Sequence, residues 1–117
     1  SVTGVQTCAL PIWIPGRVRS FASQSASAAL PMPHMGWNDV APREGHPLFA
    51  GFEPAPRFYF LHSYYFECQH PEHGAAKAHY GIDFDCVVSC GHVHGVQYHP
   101  EKSHHFGAQL LKNFASC

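Results

Sequence analysis

The sequence predicts an α/β chain, in which short strands at the margin of a mixed sheet are followed by one closing helix. Three observations predict it. Residues 82–89 (IDFDCVVS) set Ile82, Phe84 and Cys86 against Asp83 and Asp85, the period-2 pattern of a half-buried strand. Residues 57–66 (RFYFLHSYYF) are dense in aromatics, which suit a pleated surface with one covered face. Residues 103–116 put Phe106, Leu110, Leu111 and Phe114 on one face of a helix, with Ser103 as its N-cap. The links between strands are short, which favours antiparallel neighbours.

Taken in order, residues 1–12 (SVTGVQTCALPI) stand apart from the rest. They read as the translation of a sequencing-library adapter joined to a coding fragment, and an ordinary N-terminal extension is the alternative. The domain is therefore expected to run over 13–117. Residues 13–30 pass from Trp-Ile-Pro-Gly into a Ser/Ala-rich stretch with no period, which suggests an extended connection. Residues 31–40 hold two prolines and a Gly-Trp pair and read as a loop entering a short extended segment. Residues 42–56 are turn-rich. The aromatic strand 57–66 follows, then a polar loop over 67–76 with room for a short helix. The strand 82–89 turns at Cys90-Gly91 into a further strand, 92–99, and the helix closes the chain.

Composition narrows the function classes. The chain has 117 residues, 45% of them apolar, and a net charge of −1 with His neutral. That is enough for one small domain with a packed core. Seven Lys and Arg form no basic stripe, which argues against nucleic acid or an anionic membrane as partner. Apolar runs are too short to span a bilayer, and the N-terminus has no charged segment leading into an apolar one. The five Cys include no C-x-x-C pair. In a strand, Cys86 and Cys90 would stand roughly 13 Å apart, too far for a disulfide. Reduced thiols and a cytoplasmic setting are expected.

The sharpest chemical signal is residues 95–103, GVQYHPEKS. Pro100 keeps His99 out of the helical region. In an extended segment His99 and Glu101 then project to the same side. A carboxylate that orients an imidazole makes it competent to deprotonate a thiol and to protonate a leaving amine. Spacing alone does not separate this from a surface His beside a helix N-terminus, where Glu101 would be favoured anyway.

Four blocks in order resemble a known family. GVQYHPEKS (95–103) is similar to the C-terminal motif of class I glutamine amidotransferases, whose triad is Cys, His and Glu. PHMGWN (33–38), YFLHSYY (59–65) and QLLKNF (109–114) resemble the histidine-pathway glutaminases within that family. The resemblance covers roughly 13–114. It implies that the chain is the C-terminal part of a three-layer, Rossmann-like amidotransferase domain. It implies glutamine as substrate, ammonia as product, partnership with a (β/α)8-barrel synthase subunit, and no metal or organic cofactor. Carried over by position, His99 is the expected base and Glu101 its orienter. Ser63 and Tyr64 match positions that contact the amino-acid end of glutamine. Met35, Trp37, Asn38, Tyr59 and Lys102 match positions at the synthase contact.

The family's nucleophile sits in a Gly-x-Cys-x-Gly turn, and no such motif occurs among the 117 residues. The glycine-rich oxyanion loop is missing too, and residues 74–79 (GAAKAH) are less apolar than the family's strand there. The chain as given is therefore expected to be inactive alone. Loss of central strands is expected to leave Phe58, Phe60, Val87 and Val88 uncovered. Other class I amidotransferases are the nearest alternative. A non-catalytic partner-binding module or a metal site among the 11 His are others. Against a metal, His92 and His94 share a strand face that His99 does not.

Overall fold

The computed structural model describes residues 14–52 and 56–116. The adapter-like reading of 1–12 and the cysteines Cys8 and Cys117 lie outside them. Eight strands and one helix are present in this range: β1 Gly16–Ser20, β2 His34–Asp39, β3 Ala41–Pro42, β4 Arg57–His62, β5 Tyr64–Cys68, β6 Gly74–Tyr80, β7 Ile82–Cys90, β8 Val93–Val96 and α1 His104–Ser116. They form two antiparallel pairs, β1–β5 and β2–β4, and an antiparallel sheet in the order β3–β6–β7–β8.

The strand that alternation predicts over 82–89 is β7. Phe84, Cys86 and Val87 are buried, while Asp83 faces out. It turns at Gly91, whose φ of +61° is a conformation that an L side chain disfavours. Beyond the turn, pairing runs only over Val93–Val96, shorter than the expected 92–99. Gln97 N–H still donates to the Cys86 carbonyl of β7 at 2.8 Å, but His99 N–H turns to the Tyr59 carbonyl of β4, and Pro100 has no N–H with which to continue.

The aromatic run is two strands, not one. It breaks at Ser63, so that β4 pairs with β2 while β5 pairs with β1. The expected extended connection over 13–30 contains the strand β1, held to β5 by Arg17 and Arg19 on Glu67. A 3-10 turn at Phe21–Ser23 follows, where the Ser20 hydroxyl accepts the Ala22 N–H. The polar loop expected over 67–76 is shorter: a 3-10 turn at Pro71–His73 leads straight into β6. In β6, Ala75, Ala76 and Ala78 are buried, so GAAKAH makes a strand whose small side chains allow close packing.

Phe21, Phe58, Phe60 and Val87 are each 0% exposed, and with Phe84 and Tyr98 they form the core. The expectation that Phe58, Phe60 and Val87 would be uncovered is thus corrected, while Val88 is half-buried. Phe58 is covered by Tyr98, Phe52 and Phe106, and Phe60 by His34 and Tyr98. The helix departs from its predicted face. Leu110 is buried and Phe106 packs on the core, but Leu111 and Phe114 are each 51% exposed. No helix of the described residues is long and apolar enough to cross a membrane.

Candidate functional site

His99 stands at the junction of β8 and α1, where Pro100 imposes extended backbone (φ −103°, ψ 98°). Two bonds fix it to β4. Its N–H donates to the Tyr59 carbonyl at 2.9 Å. Its carbonyl accepts from the Ser103 hydroxyl at 2.7 Å, and that same hydroxyl accepts the Tyr59 N–H at 3.0 Å. Ser103 holds the position expected of a helix N-cap, its carbonyl accepting the Gly107 N–H at 3.3 Å, while its hydroxyl clamps the motif to the neighbouring strand. The turn Pro100–Lys102 then brings Glu101 back, and its Oε2 lies 3.3 Å from His99 Nδ1. The Glu101 carboxyl is held below the ordinary range, first by its own backbone N–H and then by His99. With Nδ1 engaged, Nε2 is the atom of His99 left to exchange a proton.

Gly107 closes this arrangement from the helix side. A Cβ there would meet the Pro100 carbonyl oxygen at 1.8 Å, so only glycine lets α1 approach the turn.

Ser63 and Tyr64 occupy the bend between β4 and β5. Both line a cavity of about 720 Å3 that is bounded also by His62, Tyr65, Cys86 and Val96. His99 is not part of its wall, but it lies near it: burial chiefly lowers the His62 pKa, and the charge of His99 adds to that lowering.

The residues expected at a partner contact divide. Met35 and Trp37 face out from β2, opposite Leu61 and Tyr59 of β4. Met35 is 63%, Leu61 40% and Trp37 38% exposed, which makes an apolar face. Trp37 meets Tyr59 edge-on and stacks on His104, and Lys102 is exposed in the adjoining turn. Asn38 does not join this face. Its amide turns inward, to the His79 carbonyl at 2.9 Å and to His34 Nε2 at 3.2 Å. Among the described residues no group of three His, Cys, Asp or Glu side chains is placed to hold a metal ion. Cys68, Cys86 and Cys90 are unpaired.

The family profile described as "Glutamine amidotransferase class-I" matches residues 16–116. The chain belongs to the class I glutamine amidotransferases. Among curated amidotransferase relatives, the imidazole glycerol phosphate synthase subunit HisH of Bdellovibrio bacteriovorus is 54% identical over 103 residues, covering 88% of this chain and 50% of that protein. HisH of Leptospira borgpetersenii is 47% identical over 104 residues, covering 89% and 51%. The chain thus spans about half the length of the curated relatives it matches. In fold it resembles the crystal structure of a protein from Thermoplasma acidophilum that is described as a putative GMP synthase subunit. The TM-score is 0.64 at 17% identity, over 86% of this chain and 47% of that one.

Within this amidotransferase frame, sequence reasoning missed His34, His62, Leu61 and Gly107. Alternation about Met35 and Trp37 is a signal that turns His34 inward, and the same alternation in β4 turns His62 inward and Leu61 outward. Gly107 is marked only as a glycine inside a helix, where it ordinarily costs about 1 kcal/mol.

Proposed function

We propose that the chain carries the base and the substrate-binding bend of a glutaminase subunit of imidazole glycerol phosphate synthase. The observation that supports this most is the His99–Glu101 pair, clamped to β4 by Ser103, in a chain 54% identical to a HisH protein. In this reading the parent domain is three-layered and Rossmann-like. Its nucleophilic cysteine stands in the half of the relatives' length that this chain does not span.

His99 Nε2 takes the thiol proton as sulfur attacks the carboxamide carbon of glutamine. It returns that proton to the departing nitrogen, and ammonia leaves as the thioester forms. Water, deprotonated by the same nitrogen, then attacks the thioester and releases glutamate and the thiol. Glu101 holds the tautomer and stabilises the imidazolium in both steps. Ser63 and Tyr64 hold the amino-acid end of glutamine. The face of Met35, Trp37 and Tyr59, with Lys102 beside it, meets the barrel synthase that consumes the ammonia. No cofactor is assigned.

The test uses the protein at its relatives' full length together with its synthase subunit. His99→Ala is expected to abolish synthesis from glutamine and leave synthesis from ammonium salt nearly intact. Equal loss of both activities would assign His99 to structure or to the subunit contact instead.

A further inference from the structure

Behind the bend lies a chain of hydrogen bonds that the chemistry above does not use. Asn38 Oδ1 accepts the Asp39 N–H at 2.8 Å, and Asn38 Nδ2 donates to the His79 carbonyl. Both contacts fix the orientation of the amide, because an N–H can only donate and a carbonyl only accept. The same Nδ2 lies 3.2 Å from His34 Nε2, which must therefore accept. A neutral His34 then carries its proton on Nδ1, which lies 2.9 Å from His62 Nε2. His62 in turn carries its proton on Nδ1 and donates to the Tyr64 carbonyl at 2.8 Å. The far end agrees with the near end, since the Tyr64 carbonyl only accepts. Every bond therefore points one way: Asn38 to His34 to His62 to Tyr64.

This direction settles what the two rings can do. Each has a single proton, and each lone pair is already occupied, so neither is free to act as a base. The rings are also confined. His34 is 4% exposed and stacks between Phe60 and Tyr80, with centroids at 4.8 and 4.2 Å. His62 is 8% exposed and meets Phe21 and Phe84 at 5.3 and 5.4 Å. A rigid donor ending on the carbonyl of Tyr64 fixes the backbone just past Ser63.

We propose that the Asn38–His34–His62 relay ties the Ser63–Tyr64 bend to strand β2, making His34 and His62 positioning residues for the ligand held at the bend. This rests on the reading above, in which that ligand is the amino-acid end of glutamine. It assigns His62, one residue from the bend, to positioning and leaves base chemistry to His99.

The experiment compares His62→Asn and His62→Phe in the full-length enzyme with its synthase subunit, with L-glutamine as substrate. An asparagine amide can stand where Nδ1 stood and still donate to the Tyr64 carbonyl, whereas phenylalanine fills the space and donates nothing. His62→Phe is expected to raise KM for glutamine about tenfold or more, with kcat reduced less than about threefold. That tenfold rise corresponds to one lost hydrogen bond of about 1.4 kcal/mol. His62→Asn is expected to keep KM within about threefold of wild type. If packing were the whole role, phenylalanine would be tolerated better than asparagine, and that order would overturn the proposal. A fall in kcat at unchanged KM would overturn it as well. A second readout needs no turnover: nitrogen NMR of the wild-type protein should show both rings protonated on Nδ1, with a coupling across the N–H···N bond between them. Protonation of His62 on Nε2 would refute the relay. If the wild-type enzyme fails to hydrolyse glutamine, the functional reading falls, and the tautomers still decide the relay.

Discussion

Acidification should destabilise this fold well before its carboxylates titrate, and His34 sets the scale. Burial, followed by the neighbouring His62, pushes its pKa from 6.5 down to about 4. The unfolded chain takes up a proton near pH 6.5, whereas the folded chain resists it until about pH 4. Stability from this ring is therefore complete above pH 6.5 and is lost as pH falls from there toward 4. The gap amounts to on the order of 3 kcal/mol in full, and to roughly 2 kcal/mol by pH 5. Against a typical total of about 5–15 kcal/mol, that is a large share. His62, His46 and His94 are lowered too, each chiefly by desolvation, and add in the same direction. Glu67 and Glu101 are held below their ordinary pKa, so their contributions begin to be lost only below about pH 4.5, at the acid end of the histidine window. The assay is denaturant unfolding at pH 8 and pH 5 at one ionic strength, on wild type and His34→Phe. Phenylalanine keeps the stack between Phe60 and Tyr80 but cannot titrate. Wild type is expected to lose at least about 2 kcal/mol between the two pH values, and His34→Phe to lose less by about that amount. Equal losses in both proteins would refute the claim that His34 is held neutral by its surroundings.

Two further substitutions test the packing. Gly107→Ala should cost about 2 kcal/mol or more, since its methyl group must displace the Pro100 carbonyl and with it the turn that holds His99 and Glu101; an unchanged denaturation midpoint would show that α1 does not press on the turn. Tyr98→Phe should leave stability unchanged or raise it by about 1 kcal/mol, because the Tyr98 hydroxyl is buried with no hydrogen-bond partner among the described residues; a clear loss in the same assay would reveal a partner for that hydroxyl.

Legibility followed the range of the forces at work. Elements ruled by local sequence could be read directly: the alternation of β7, the turn at Gly91, and the extended backbone that Pro100 forces on His99. Where pairing partners decide, the reading slipped. The run 57–66 carries no turn residue beyond Ser63, yet it divides there because its two halves pair with β2 and β1. Leu111 and Phe114 satisfy a helical period, but the core meets α1 along Phe106, Gly107 and Leu110. The pairing of His99 with Glu101 was visible from spacing and the following proline. The clamp through Ser103 was not, because its other end, the Tyr59 N–H, lies 44 residues away.

The strand pair β2–β4 shows how one local rule serves two ends. Alternation sends Met35, Trp37, Tyr59 and Leu61 to one face and His34, Phe60 and His62 to the other. The first set forms an apolar face on which Met35, Trp37 and Leu61 are exposed and Tyr59 is half-buried. The second is buried, and its polar members must find partners within the protein, since an unmade bond in the interior costs about 1–3 kcal/mol. They find them in a line that starts at Asn38 and ends at Tyr64. Asn38 lies two residues beyond Gly36 and four beyond His34, on the inward face. Its inward turn is thus a consequence of strand geometry, which sets Asn38 apart from Met35 and Trp37. The strand that carries Met35 and Trp37 on its outer face holds the start of the relay on its inner one. The outer face and the Ser63–Tyr64 bend are therefore linked through one strand and three hydrogen bonds.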